Sequence, residues 1–240
     1  MAFETERMGR AYPQAGVQTA DIDQGLRAYM LKVYNYMGSG LALTGLVALL
    51  VASSQTLMQL IFGTPLQWVV MLAPIGLVLL LSFRLQQMSL AGVQATFWVF
   101  AALMGASLAS IFAVYTGVSI ARTFFICAAT FGAMSLYGYT TKRDLSGMGS
   151  FLMMGLFGLI IAGLVNIFLQ SSMLHFVISA VGVLVFVGLT AYDTQKVKEM
   201  YFEADDDVLY GKKAIMAALT LYMDFINLFL MMLRFFGDRR

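Results

Sequence analysis

Residues 33–83 carry no formal charge. A membrane-spanning helix needs ~20 mostly apolar residues, so this run is too long for one span. Its centre, SSQTLMQLIFGTPLQ, is polar and holds Pro65, which predicts two spans with a turn between them. Residues 85–121 predict a third span followed by a YTGVS turn, and residues 123–141 a fourth. Residues 145–192 are again double length and divide near LQSSMLH, and residues 214–236 supply the last. The pattern predicts seven helices, over about 30–52, 66–83, 89–114, 119–140, 149–169, 174–195 and 213–236. Continuous apolar runs lack the alternation of a barrel, and open strands would leave edge groups unsatisfied in lipid. The expected fold is all-α, a polytopic seven-helix bundle over residues 29–240 behind a polar N-terminal tail, residues 1–28.

Composition agrees. Hydrophobic residues make up 60% of the chain and charged ones 12%, against ~45–50% and ~25% in soluble domains. The main partner is therefore the lipid bilayer, and a net charge of +2 gives no basis for a nucleic-acid surface. Glu4, Glu6, Arg7, Arg10, Asp21 and Asp23 in the tail leave no apolar signal-peptide core, and the tail reads as partly disordered.

Lys and Arg set orientation. The tail and first-helix start carry Arg7, Arg10, Arg27 and Lys32. Even-numbered connections carry Arg84, then Lys142 and Arg143, then Lys196, Lys198, Lys212 and Lys213. This predicts a cytoplasmic N-terminus and an external C-terminus. Arg122, Arg239 and Arg240 dissent.

Small residues recur every four positions at Ala101, Gly105 and Ala109, and at Ala128 and Gly132, a spacing that lets helices approach closely. The single cysteine, Cys127, excludes an intrachain disulfide and reads as small buried filler. The 18 methionines read as adaptable apolar filler.

Ionisable groups inside spans carry the candidate chemistry, because each costs ~2.5–3.5 kcal/mol on insertion scales. Asp224 lies deep in LYMDFINLFLMMLRFFG, ~16 Å along the helix from Lys213, with Asn227 on the same face. It is either a functional acid or a protonated structural one. Asp193, in GLTAYDTQKVKEMY, lies near the end of the sixth helix, where the dipole disfavours a carboxylate; it pairs either locally with Lys196 or with Asp224. Arg84 is either a topogenic charge or a cationic lock on the two acids. Arg234 and His175 fit interfacial positions, and EADDD (203–207) a solvated loop without the Gly and Glu of an EF-hand. Asp193 and Asp224 come level only if the sixth helix continues past its lysines or the seventh starts early. Two carboxyls that meet in lipid would hold one proton between them and titrate as a unit. Losing it would set two negative charges together, repelling the helices or recruiting Arg84 or a hard cation such as Ca²⁺.

The segments GLTAYDTQKVK and LYMDFINLFLMMLRFFG resemble the Bax inhibitor-1 (transmembrane BAX inhibitor motif) family, and the likeness spans nearly the whole chain. The resemblance implies a bacterial inner-membrane protein with helix 7 central. It also implies a di-aspartyl pH sensor governing a Ca²⁺ leak: Asp193 and Asp224, with Arg84 able to bridge to them. Arg234 matches a family arginine, but its acidic partner on helix 2 is replaced by Ala73 and Pro74. Bacterial relatives are linked to a membrane-anchored ATP-dependent protease.

Three functions are therefore weighed: a pH-sensitive Ca²⁺-permeable leak, with Ca²⁺ and H⁺ as its ions; a non-conducting modulator of that protease or of a stress response, acting through residues 1–28; and an intramembrane aspartyl protease. The last is disfavoured, because LYMD stands where Gly-x-Gly-Asp is required and no Pro-Ala-Leu occurs. One histidine argues against a His-based metal site, and no phosphate-binding loop is present. The expected protein is not an enzyme and holds no cofactor.

Overall fold

Ser54 decides where the first helix gives way to the second. It takes extended backbone and its side chain accepts from Leu57 N at 3.3 Å, satisfying an N–H that the new helix leaves open. The structure, a computed structural model, describes residues 14–240. In it α1 (Gln14–Ser53) ends there and α2 (Gln55–Phe62) begins. The latter stops at Gly63, whose N–H returns to Gln59 O at 2.9 Å, and Pro65 leads into α3 (Leu66–Arg84). The stretch expected as a plain turn thus contains a two-turn helix. Its Ile61 is buried with Val51, Val70 and Ala109, and Met58 packs against them, which holds a segment too short to be stable alone.

The third span, expected unbroken over 89–114, is divided. α4 (Leu90–Leu108) ends with Ala109 N donating to Ala106 O at 3.4 Å, a tightened turn, and α5 (Ile111–Val114) follows. Thr116, Ser171 and Asp206 cap α6 (Gly117–Thr140), α8 (Ser172–Glu199) and α9 (Asp207–Phe236) in the same manner as Ser54. Between them α7 (Ser146–Leu169) ends on Gln170 in the left-handed region at φ 49°. The EADDD run is more than a solvated loop: Asp206 accepts from Leu209 N at 2.6 Å, and Asp205 meets Lys213 at 2.6 Å. A carboxylate at a helix N-terminus also suits the dipole.

Seven segments are long and apolar enough to cross a membrane, beginning at Gln24, Leu66, Leu90, Gly117, Ser146, Ser172 and Asp207. The count and order match the hydropathy pattern; the ends move. α1 starts at Gln14, inside the stretch assigned to the polar tail, whose residues 1–13 lie outside the described residues. α8 runs beyond 195 to Glu199, and α9 starts at Asp207 rather than 213.

α9 packs against α1, α4, α6 and α8. Its most apolar window is 67% buried, against 11% to 39% in the other spans. α7 lies on α8, and α3 lies mainly on α4 and α2. Phe83, Phe168 and Leu184 point outward, a surface that suits lipid rather than water.

The C-terminal GDRR folds back on the connection between α5 and α6. Tyr115 pairs with Arg239 as an isolated antiparallel bridge, Thr116 N donates to Asp238 O at 3.1 Å, and Arg240 N donates to Val114 O at 3.0 Å. Arg122 meets Asp238 at 3.0 Å. The three arginines that dissent from the charge pattern therefore gather at one end of the bundle.

Candidate functional site

The segment TAYDTQ lies in the last two turns before α8 reaches its lysines, and its two threonines and its glutamine each have hydrogen-bond partners. Thr190 Oγ1 donates to Phe186 O at 2.8 Å, and Thr194 Oγ1 donates to Thr190 O at 2.7 Å. Such bonds back to the preceding turn let hydroxyls sit in an apolar helix. Gln195 closes a two-point bridge to the connection between α6 and α7: its Oε1 accepts from Leu145 N and its Nε2 donates to Arg143 O, both at 2.8 Å. Lys198 Nζ donates to Tyr139 O at 3.0 Å.

A directed chain of hydroxyls crosses three helices beside Asp193. Thr194 uses its proton on Thr190 O. Ser135, 3.0 Å away, must therefore donate to Thr194, and Tyr34, 2.5 Å from Ser135, must donate to Ser135. The chain ties α1 to α6 and α6 to α8. A second group sits two residues before Asp224. Thr44 Oγ1 donates to Ala101 O at 2.8 Å, so Tyr222 OH, 2.7 Å away, donates to Thr44. It ties α9 to α1 and α4.

Between these clamps Asp193 and Asp224 face each other. α8 and α9 make the most extensive helix pair in the fold, and the two carboxyl groups lie close enough to share a proton. A hydrogen bond between two carboxyls needs a proton on one of them. Asp224 is buried at 6% exposure, and its Oδ2 has no hydrogen-bond partner. Asp193 is half-buried, with Lys196 as the neighbouring positive charge. Lys196 forms no ion pair with it; its Nζ stands 6.0 Å from the Tyr192 ring centre. The depth mismatch read from the sequence disappears because α8 continues through Lys196 and Lys198 and α9 begins before Lys212 and Lys213.

The other expected members stay apart. Arg84 ends α3, is exposed, and makes no ion pair among the described residues. Asn227 is half-buried one turn beyond Asp224, and Arg234 is exposed near the far end of α9. Cys127 is fully buried, as expected, with Sγ 3.7 Å from Phe225 O. Sequence reasoning missed Tyr34, Thr44, Ser135, Thr194, Gln195 and Tyr222. The available signal was polarity inside an apolar run, which was followed only where it was ionisable.

Among the described residues no group of three His, Cys, Asp or Glu stands close enough to hold a metal. Ca²⁺ takes 6–8 oxygens, and two carboxyls supply four at most, so a Ca²⁺ held at the pair would need backbone carbonyls or water to complete its shell.

The chain is 55% identical over 218 residues to an uncharacterized protein of Rickettsia prowazekii, covering 91% of this chain and 92% of that one. It is 50% identical over 219 residues to the inner membrane protein YbhL of Escherichia coli K12, covering 90% and 94%. An uncharacterized protein of Caulobacter vibrioides is 45% identical over 234 residues, covering 91% and 92%. The family model described as inhibitor of apoptosis-promoting Bax1 matches residues 26–240. With its seven apolar helices and these relatives, the chain is a membrane protein that belongs to the Bax1-I family.

Proposed function

We propose that the protein is a pH-sensitive, cation-permeable leak, with Ca²⁺ as cargo, in which Asp193 and Asp224 form the gate. The observation that carries this is the meeting of two carboxyl groups from neighbouring spans inside an apolar bundle, one of them 6% exposed with an unpartnered oxygen. Ionisable groups inside a membrane are costly and mark ion pathways or proton relays. With one proton between them the acids bridge α8 to α9. Without it two negative charges are left in contact, where low dielectric makes repulsion strong. Loss of the proton loosens the helix pair and opens the path, so flux rises with pH. The hydroxyl clamps tie α8 to α6 and α9 to α1 and α4, so the parting falls between α8 and α9. Arg84 has no part in this proposal.

The test is Ca²⁺ flux into liposomes holding purified protein, measured across pH for wild type, Asp193→Asn and Asp224→Asn. The expected result is a pH-dependent flux whose pH dependence is lost in both variants. Wild-type flux no greater than that of empty liposomes would overturn the proposal in favour of a non-conducting regulator. Unchanged pH dependence in the double Asn variant would remove the acids from the gate.

A further inference from the structure

α1 and α6 form the two walls of a slot that opens sideways. Its first part, about 700 Å³, is bounded by Arg27, Tyr34 and Gly38 on α1 and by Gly132, Ser135 and Tyr139 on α6. Its second part, about 370 Å³, continues between Gly45 and Ala48 on α1 and Gly117 and Phe124 on α6. Phe225 of α9 lies on the floor of both.

Four glycines keep this slot open. A Cβ built on Gly38, Gly45, Gly117 or Gly132 would meet nothing within 4 Å. Gly132 was expected to bring helices together; instead it faces empty space. Glycines that do bring helices together in this fold behave differently: a Cβ on Gly105 would stand 2.5 Å from Thr44 O.

Length and charge identify an occupant. From Arg27 to Gly38 the wall rises ~17 Å along α1, about half the ~30 Å hydrocarbon thickness of a bilayer, which is the depth of one leaflet. The lining is mostly apolar; its polar members are Tyr34 and Ser135, bonded to each other, and, near one end, exposed Arg27 and the ring of Tyr139, with Lys198 Nζ 5.7 Å from that ring. We infer that the slot binds an anionic phospholipid of the adjoining leaflet, one acyl chain lying between α1 and α6 up to Phe225 and the phosphate at Arg27. Arg suits phosphate through paired N–H donors. The inference is independent of the leak.

Native mass spectrometry of the full chain from detergent tests this, with phosphatidylglycerol, phosphatidylcholine of the same chains, and glycerol phosphate as probes. One phosphatidylglycerol should be retained in preference to phosphatidylcholine, and glycerol phosphate should not bind. Arg27→Gln should weaken phosphatidylglycerol about fivefold, the weight of one cationic side chain near anionic lipid. Gly132→Phe, or Gly38→Phe from the other wall, should abolish retention, whereas Gly158→Phe on α7, where a Cβ also meets nothing, should not. Retention in both slot-filling variants, equal retention of the two lipids by wild type, or binding of glycerol phosphate alone would each overturn it.

Discussion

Tyr222 on α9 donates a hydrogen bond to Thr44 on α1 at 2.7 Å, two residues before Asp224. Both side chains are buried, and Thr44 passes its own proton to Ala101 O. One threonine thus joins three helices at the depth of the acid pair. Removing the tyrosine hydroxyl leaves the Thr44–Ala101 bond intact. Tyr222→Phe is therefore expected to cost about 0.6 kcal/mol, the mean for hydrogen bonds between membrane helices. Thr44→Val should cost more, since it breaks both bonds. A double-mutant cycle on reversible unfolding in micelles checks this; a coupling energy indistinguishable from zero contradicts it.

Glycines of identical appearance in the sequence should respond oppositely to the same change. Gly105→Ala forces a methyl against Thr44 O and Val47 and is expected to destabilise by about 1–3 kcal/mol, the usual cost of overpacking. Gly132→Ala meets open space and should stabilise by about 0.5–1 kcal/mol, because alanine loses less backbone entropy in a helix. Unfolding midpoints of the two variants, measured side by side, decide it.

Gln195 is expected to matter for the connection at 141–145 rather than for the acids. It is 7% exposed and satisfies Leu145 N and Arg143 O together. Gln195→Leu leaves both backbone groups without that partner and should cost about 1–3 kcal/mol if water does not replace it. Limited proteolysis should cut the variant faster than wild type between Thr141 and Ser146, while the pH dependence of any flux is retained.

The end of the chain gives a topological prediction. Because residues 238–240 bond to residues 114–119, single cysteines at Val118 and Arg239 should be labelled from the same side of the membrane, and one at Lys142 from the opposite side. The Arg122–Asp238 ion pair is exposed on both partners, 52% and 68%, so Arg122→Gln should cost less than about 1 kcal/mol and leave that labelling unchanged. The backbone bonds hold the tail, not the charge.

The seven spans were legible because lipid leaves a helix few alternatives: backbone groups must be satisfied within the segment, and the required length of apolar sequence can be counted. The two acids were legible for a related reason, since a charge in an apolar run is conspicuous. Their contact was not, because depth depends on where helices end. The ends were misjudged at α8 and α9, where the pattern of lysines suggested a membrane boundary and the helices ignored it. The short α2 was hidden because eight residues following Ser53 and Ser54 resemble a turn until a third element covers their apolar side.

By itself the sequence determined how many helices there are, their order, and which carboxylates sit in apolar surroundings, because hydropathy acts on each segment independently of its neighbours. Only the tertiary structure decided which groups meet. Arg84 stays at the rim because α3 packs mainly away from α8 and α9. Gln195 and Thr44 became junctions because each lies within reach of backbone groups of another segment, Leu145 N and Arg143 O in the α6–α7 connection and Ala101 O in α4. Gly105 became a contact and Gly132 a gap because the same missing side chain has opposite meanings according to whether a neighbouring helix fills the space.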